Sequence, residues 1–289
     1  MRHHREGLLS VHLAVLIFGF TALFSKLLSL SALDITFYRS VIACLAIALY
    51  LAYRKQTYTL DGLRDYFMVA TLGVLLAAHW VTYFYAMQVS SVAIGVIALY
   101  TYPVITVFLE PLFHGEKPHR SDIIISIAVL FGIYLIVPDF SLDNTTALGI
   151  AFGVFSALMI ALRNIMQRRY FSAYSASHAL LYQTFVVALV LFVFHDASVS
   201  SIESDQRWLL LLLGVMFTAL PHTLFAHGLL HLKAKTASLI ACVQVVYATL
   251  FAAIFLSEWV SVNVIVGGVI IVSAAMYESL PKALHKQGD

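Results

Sequence analysis

Long apolar stretches separated by short polar breaks alternate along the whole chain. A helix needs about 20 apolar residues to cross the hydrocarbon core of a bilayer. Ten stretches approach or exceed that length, at residues 8–30, 34–53, 65–87, 91–112, 121–138, 146–168, 176–195, 208–230, 235–256 and 261–278. The first is too long for a signal-peptide core and lacks a small-residue cleavage site, so we expect it to be retained. The pattern predicts an all-helical, multi-pass membrane protein with ten transmembrane helices and no separate soluble domain.

The second half of this pattern repeats the first at a shift of 142 residues. The apolar stretch from Val92 to Pro118 returns as Ala234 to Val260, and each copy ends at a glutamate. The shift pairs Glu116 with Glu258, Phe113 with Phe255, Gly95 with Ala237 and Gly115 with Ser257. Self-similarity at a fixed period indicates a duplicated unit. We therefore expect a first repeat at residues 1–142 (helices 1–5), a second at 143–280 (helices 6–10) and a tail at 281–289.

Composition and charge support the membrane assignment and orient the helices. Apolar residues make up 61% of the 289 residues and charged residues 11%, whereas a soluble domain carries about 25% charged residues. Thirteen of the 17 basic residues lie at the N-terminus, in every second loop and in the tail. Cytoplasmic loops carry this excess of Lys and Arg, so both termini are predicted to be cytoplasmic. The small net charge of +2 gives no reason to expect a nucleic-acid partner.

Five helices per repeat have a consequence for symmetry. A unit with an odd number of crossings starts its second copy from the opposite face of the membrane. The two halves are then related by a twofold axis in the membrane plane, as in the inverted repeats of secondary transporters. Such proteins bind their substrate near mid-membrane, at the interface of the repeats.

Residues in both halves resemble the EamA repeat of the drug/metabolite transporter superfamily, from about Leu8 to Tyr277. The resemblance rests on Trp80, Tyr83, Ala86, Ser90-Ser91, Tyr102-Pro103-Val104 and Phe113-x-Gly-Glu116, and on Ala237-Ser238 and Phe255-Leu-Ser-Glu258 in the second copy. Where the second repeat often has a proline, this chain has Val245, so a break in helix 9 is not implied. The resemblance implies a central cavity lined by helices 1, 3, 4, 6, 8 and 9, and export or exchange of small metabolites.

Charged side chains within membrane spans are costly and are candidates for function. Lys26 and Arg39 lie near the outer ends of helices 1 and 2. Either they reach the membrane surface as anchors, or they contact an anionic group of a substrate. Glu110 and Arg163 lie near the inner ends of helices 4 and 6. They either pair with each other or contact interfacial water, and they are candidates for a gate that breaks when the cavity opens inward.

Two histidines lie deeper, His79 beside Trp80 in helix 3 and His222 in helix 8, and the shift pairs Trp80 with His222. Histidine titrates near neutral pH. His79 or His222 is therefore a candidate for proton coupling, and the alternative is a neutral histidine that hydrogen-bonds a neighbouring helix.

Aromatic side chains in helices 3 and 4 predict a binding pocket. Trp80 and Tyr83 share one face of helix 3, and Tyr100 and Tyr102 precede Pro103 in helix 4. Such a pocket suits a ligand with an apolar or cationic body, although Trp and Tyr are also enriched at membrane interfaces.

Helix 9 carries two further candidates, Gln244 and Tyr247, at a spacing of three residues. An amide such as that of Gln244 binds either end of a zwitterion, or it forms an interhelical hydrogen bond. Asn164 and Gln183 have the same two interpretations.

The motifs that would indicate an enzyme are absent from the sequence. It has no phosphate-binding Gly-x-x-x-x-Gly-Lys, no His-Glu-x-x-His and no cysteine pair with metal-ligand spacing. We expect no catalysis, metal or cofactor, and a lipid bilayer and a small-molecule substrate as partners. The prediction is a secondary transporter of the inner membrane, an exporter or exchanger of an amino acid, amine or carboxylate that works by alternating access. The alternatives are a transporter of a larger anionic or nucleoside-bearing metabolite and a membrane scaffold that transports nothing.

Overall fold

Every regular element that the structure describes is helical. The computed structural model describes residues 2–21, 23–90, 92–115, 118, 120–136, 144–256 and 262–279. The α-helices are α1 (Arg2–Thr21), α2 (Phe24–Leu27), α3 (Ala32–Tyr53), α4 (Leu63–Val89), α5 (Val92–Leu99), α6 (Tyr102–His114), α7 (Arg120–Ile136), α8 (Asn144–Tyr170), α9 (Ala176–Leu191), α10 (Ser204–Gly214), α11 (Leu220–His231), α12 (Ala234–Ala241), α13 (Val243–Leu256) and α14 (Val262–Ser279). A 3-10 turn lies at Val199–Ser201, and a π-helical turn at Val215–Ala219 joins α10 to α11.

Each of the ten predicted segments coincides with one helix or with two consecutive helices. The all-helical class is therefore confirmed. Four helical segments of the described residues are long and apolar enough to cross a membrane, namely Ala32–Tyr53, Leu63–Val89, Ala147–Tyr170 and Ser204–His231. Shorter apolar helices account for further segments. The number of ten crossings and the side of the termini remain predictions.

Both halves contain a helix that is interrupted near its middle. In the first half, α5 ends at Leu99 and α6 begins at Tyr102. Pro103 lies in the first turn of α6, where its missing N–H costs no helical hydrogen bond. In the second half the interruption falls at Cys242, whose N–H donates to the Leu239 carbonyl at 3.2 Å. Helix 9 is thus broken although it carries Val245 in place of a proline.

The main helix contacts join the two halves. The helix α1 packs against α11, α4 against α8, α3 against α9, and α7 against α14. One large cluster of buried apolar side chains runs through these contacts. On the outside, large apolar side chains remain exposed, for example Leu49, Phe67 and Leu189. An apolar exterior of this kind is expected where lipid, rather than water, surrounds the helices.

The helices α3 and α9 make the same tyrosine–carbonyl contact at each end of their pair. At the start of α3, the hydroxyl of Tyr38 donates to the carbonyl of Ala197, in the loop that follows α9. At the start of α9, the hydroxyl of Tyr182 donates to the carbonyl of Tyr58, in the loop that follows α3. The two helices are therefore antiparallel, and exchanging them reproduces the contact. Tyr182 follows Tyr38 by 144 residues, close to the shift of the sequence repeat.

Two glycines allow close helix approach on the flanks of this pair. A Cβ added to Gly73 of α4 would lie 2.6 Å from the Cβ of Val186 in α9. A Cβ added to Gly214 of α10 would lie 2.6 Å from the Cβ of Ile42 in α3. No real Cβ is tolerated at that distance, and small residues are the usual means of close helix packing in membranes. The same device therefore occurs in both halves.

Candidate functional site

A cavity of about 670 Å³, including the part that is open to solvent, lies between the two halves. Its described lining comes from α1, α3, α4, α5, α6 and α8 and from α11, α12 and α13, with Tyr100 at the break between α5 and α6. These elements include all six of the helices that the sequence analysis expected around the cavity. They add the second predicted helix, which contributes Arg39.

Arg39 is held in the cavity wall by α4 and by the π-helical turn. Its side chain is buried, and the carbon of its guanidinium group lies 4.3 Å from the centre of the Trp80 ring and 5.3 Å from that of Phe84. Its Nε donates to Thr218 Oγ1 at 3.1 Å. Thr218 lies in the π turn, and its hydroxyl donates to the Leu213 carbonyl five residues earlier. The interpretation of Arg39 as an anchor at the membrane surface is therefore wrong, because its side chain points into the protein.

Arg163 reaches the same cavity from α8. Its Nε donates to Gln183 Oε1 at 2.8 Å, and one terminal nitrogen donates to Asn164 Oδ1 at 3.0 Å. Gln183 in turn donates to Gln167 Oε1 at 3.0 Å. Because α8 continues to Tyr170, Arg163 lies about two turns from its end. Arg163 thus lies toward that end of the helix, and its side chain lines the cavity.

Aromatic rings form much of the cavity wall. The ring of His222 meets those of Trp80 and Phe18 edge to face, with centroids 5.0 and 4.6 Å away. Tyr83 stacks with His79, one turn earlier on α4, at 6.1 Å. The repeat shift had paired Trp80 with His222, and the structure brings these two rings into contact.

Both histidines are fixed through Nδ1. His79 Nδ1 lies 2.7 Å from Ser156 Oγ, whose own proton is donated to the His79 carbonyl at 2.9 Å. His222 Nδ1 lies 3.0 Å from the Thr218 carbonyl, which can only accept. Nδ1 is therefore the donor in both rings, and Nε2 of each neutral ring is an acceptor. The expected bond to a neighbouring helix is confirmed for His79, which lines the cavity as well.

Several buried polar atoms around the cavity lack a hydrogen-bond partner among the described residues. They are Thr21 Oγ1, Tyr83 Oη, Tyr100 Oη, Arg163 Nη2 and Asn164 Nδ2. No hydrogen bond from the two terminal nitrogens of Arg39 is found in that part of the chain either. Buried polar groups are normally paired, so each exception calls for an explanation. The described lining also contains no Asp or Glu, and its charged side chains are two arginines.

Tyr102 and Gln244 border the cavity and also bond across helices. The Tyr102 hydroxyl lies 3.3 Å from the Ser238 carbonyl. Gln244 Nε2 donates to the Phe18 carbonyl at 3.1 Å, so the interhelical bond weighed for this residue is present. Its Oε1 oxygen is the part that remains for a ligand.

The cavity thus brings together nine of the twelve predicted site residues. Tyr247 is not among its described lining, and its ring stacks with Phe251 at 6.4 Å. Lys26 lies in α2, but its side chain falls outside the part that the structure describes. Glu110 is buried in α6 away from the lining.

Glu110 contacts the start of α12 rather than Arg163. Its two carboxylate oxygens accept the N–H groups of Ala234 and Lys235 at 2.9 and 2.8 Å. The Lys235 ammonium group pairs with Asp122 at the start of α7, and both side chains are buried. Helices of the first half therefore hold the N-terminus of α12. In place of the expected pairing, Glu110 binds the N-terminus of α12, and Arg163 binds Gln183 and Asn164.

Sequence reasoning missed the apolar part of the lining. Phe18, Leu99, Ile160 and Phe225 border the cavity. In a membrane protein an apolar side chain faces lipid, core or cavity equally well, so no pattern separates these positions. Thr21 carried a usable signal, a hydroxyl within an apolar span.

One group of side chains outside the cavity has the donor types of a metal site. His3 and Glu6 at the start of α1 and His231 at the end of α11 bring ligand atoms within 4.8 Å of one another. The His3 side chain is largely exposed, and the group is also explained by the His3–Glu6 contact within one helical turn. No metal was expected from the sequence, and this group lies outside the cavity lining.

Comparison with known proteins agrees with the repeat and with the fold. The profile of the EamA-like transporter family matches twice, at residues 5–137 and 147–278. An uncharacterised transporter of Archaeoglobus fulgidus is 24% identical over 277 residues, which cover 94% of this chain and 96% of that protein. The pseudopaline exporter CntI of Pseudomonas aeruginosa is 26% identical over 255 residues, 88% of each chain. One solved crystal structure superposes with a TM-score of 0.77 over 94% of this chain and 96% of its own, at 15% identity.

Proposed function

The chain belongs to the EamA-like transporter family, and from that membership we propose that it is a secondary transporter that exports or exchanges a small organic metabolite by alternating access. Membership makes it a membrane transporter, and the described spans agree. The direction, the mechanism and a place in the inner membrane belong to the proposal. The cargo is an amino acid, amine or carboxylate.

The observation that carries the proposal is the cavity lined from both halves. In inverted-repeat transporters the substrate lies at the interface of the repeats. A scaffold that transports nothing would be expected to pack its buried aromatic residues without such a space. Here Trp80, Tyr83 and Tyr100 border a space with unpaired polar atoms. This favours transport over the scaffold alternative.

The matched contacts of α3 and α9 support alternating access. Because Tyr38 and Tyr182 bind the loops at opposite ends of the pair, one end can loosen while the other stays closed. Rocking of one repeat against the other about a fixed site is the usual form of this motion.

In this proposal Glu110 serves at the cytoplasmic gate through α12. Its carboxylate accepts hydrogen bonds from the N-terminus of α12 and so holds that end against α6. Lys235 at the same end forms an ion pair with Asp122 of α7. Opening toward the cytoplasm would break these bonds. Arg163, the other gate candidate, is assigned to the cavity and to contact with cargo.

His79 and His222 are the proposed proton carriers. Each presents Nε2 as an acceptor when neutral, and protonation would turn it into a donor and add positive charge near Arg39 and Arg163. An anionic cargo would favour that charge, so proton and cargo would bind better together than apart. This coupling suits an exchanger, because export driven by inward proton flow would need the two to bind alternately. Linkage makes the effect reciprocal.

Cysteine labelling tests the proposal. We expect Tyr83→Cys, Tyr100→Cys and Gln244→Cys, each in a background with Cys44→Ala and Cys242→Ala, to react with a membrane-impermeant thiol reagent and to be protected by cargo. Phe84→Cys is the matched control, because Phe84 is buried beside the cavity residues without lining it. No labelling at the three positions from either side of the membrane would favour the scaffold.

A further inference from the structure

Two guanidinium groups face the cavity without a carboxylate partner among the residues that the structure describes. Arg39 and Arg163 are each 1% exposed. Their protein partners are a hydroxyl and two amide oxygens, which are neutral. No acidic residue occurs in the described lining.

Such an arrangement is costly unless something else completes it. A buried charge is normally paired, because an unpaired ion loses its hydration without compensation. The unpaired donors, Arg163 Nη2 and Asn164 Nδ2 together with the Tyr83 and Tyr100 hydroxyls, all border one space. What they lack is a molecule rich in acceptor atoms and negative charge.

Resting on the transport function proposed above, we infer that the cargo is an organic dicarboxylate, with one carboxylate bound by Arg39 and the other by Arg163. Guanidinium groups bind carboxylates through two parallel hydrogen bonds. Two arginines match two carboxylates in charge, and they repel the amines that remained among the candidate cargoes. The aromatic rings of Trp80 and Tyr100 would cover the carbon chain between the two ends.

The same charges could attract inorganic phosphate. The rest of the cavity lining favours an organic dicarboxylate over phosphate. Most of the surface around the arginines is aromatic or aliphatic, from Phe18, Leu99, Ile160 and Phe225. Phosphate alone would leave that surface without a partner. The carbon chain of a dicarboxylate would pack against this apolar surface.

The test is a binding panel on the full-length protein in detergent, read by calorimetry and by thermal shift. The probes are straight-chain dicarboxylates of graded length, with the monoamide, diamide and diamine of each length, and inorganic phosphate. We expect a dicarboxylate of one length to bind best. Its monoamide should bind about ten- to hundredfold more weakly, the usual effect of losing a charged hydrogen bond.

Arginine variants connect the binding to these side chains. Arg39→Gln and Arg163→Gln should each lower affinity for the best dicarboxylate about ten- to hundredfold, and the exposed Arg64→Gln should leave it unchanged. Without ligand, the two cavity variants should unfold at the same temperature as the parent protein or higher, because a buried unpaired charge has been removed. This second measurement separates loss of binding from loss of folding.

The inference is overturned if the diamide or diamine binds as well as the dicarboxylate, if phosphate binds best, if no dicarboxylate binds, or if both variants keep full affinity. The proposed transport function fails separately. It falls if proteoliposomes move no member of the panel and the cavity cysteines never react. Transport of an amine by the parent protein would keep the function and remove the dicarboxylate.

Discussion

At the scale of single residues, the hydroxyl of Thr218 decides how the Arg39 guanidinium is oriented. It accepts from Nε at 3.1 Å while donating to the Leu213 carbonyl at 2.7 Å, which leaves the two terminal nitrogens of Arg39 for the cavity. π-Helical turns occur frequently at functional sites because they present a residue that a regular helix would not. The turn at Val215–Ala219 serves this purpose here.

We predict that Thr218→Val lowers the free energy of unfolding by about 1–3 kcal/mol, the cost of a buried charged donor without its acceptor. It should also weaken cargo binding, because Arg39 becomes free to rotate. Thr184→Val is the matched control, since Thr184 is equally buried and its hydroxyl donates to backbone carbonyls of its own helix instead of orienting an arginine. Unfolding in detergent measures both variants, and equal losses would contradict the assigned role of Thr218.

The sequence predicted the polar residues of the site better than the apolar ones. Arg39, His79 and His222 were recognisable because a polar group in a membrane span is costly. Orientation was less predictable, since the position of Arg163 toward the end of α8 does not show whether its side chain faces the cavity or a gate. Partners were not predictable at all, because Glu110 meets α12 at a residue 124 positions later in the chain.

At the scale of elements, α12 is fastened at its N-terminus by two acidic side chains of the first half. Glu110 accepts the first N–H groups of the helix, where the helix dipole favours negative charge. Asp122 of α7 pairs with Lys235 on the same turn. These bonds hold the broken helix against α6 and α7.

We predict that Asp122→Asn lowers the free energy of unfolding by about 3–5 kcal/mol, because it leaves the Lys235 ammonium group buried without its partner. The double variant Asp122→Leu with Lys235→Met should recover most of that loss, since apolar residues often replace a buried ion pair at little cost. Unfolding by graded detergent denaturation provides the comparison. A double variant less stable than Asp122→Asn would contradict the prediction.

A proline marks the break in helix 4, but the break in helix 9 has no such marker in the sequence. Pro103 marked the first break, because a proline cannot continue the hydrogen bonding of α5. Nothing comparable marks Cys242. There the interruption belongs to the packing of α12 against α6 and α14, which the local sequence does not contain.

At the scale of the whole molecule, the two halves pack as exchanged copies of each other. Tyr38 and Tyr182 make the same contact at opposite ends of the α3–α9 pair, and Gly73 and Gly214 make the same close approach beside it. A twofold relation of this kind predicts that the loops after α3 and α9 lie on opposite faces of the membrane.

We predict that Gln56→Cys is labelled from the cytoplasm alone and Ser200→Cys from outside alone, in a background with Cys44→Ala and Cys242→Ala. Both positions are exposed in loops, one after α3 and one after α9. An impermeant maleimide applied to whole cells and to inside-out vesicles makes the measurement. Labelling of both positions from one side would remove the inverted arrangement.

The sequence by itself determined the class of molecule, the duplicated unit and the family, because apolar length, the 142-residue repeat and the motif residues are properties of the chain read locally. It also supplied most of the polar side chains of the cavity. Only the tertiary structure decided that Arg39 and Arg163 face one space whose described lining holds no acid, that Glu110 binds α12, and that apolar residues such as Phe18 complete the wall. These relations join segments that are distant in sequence, and side chains of the same polarity can meet lipid, core or cavity until the helices pack.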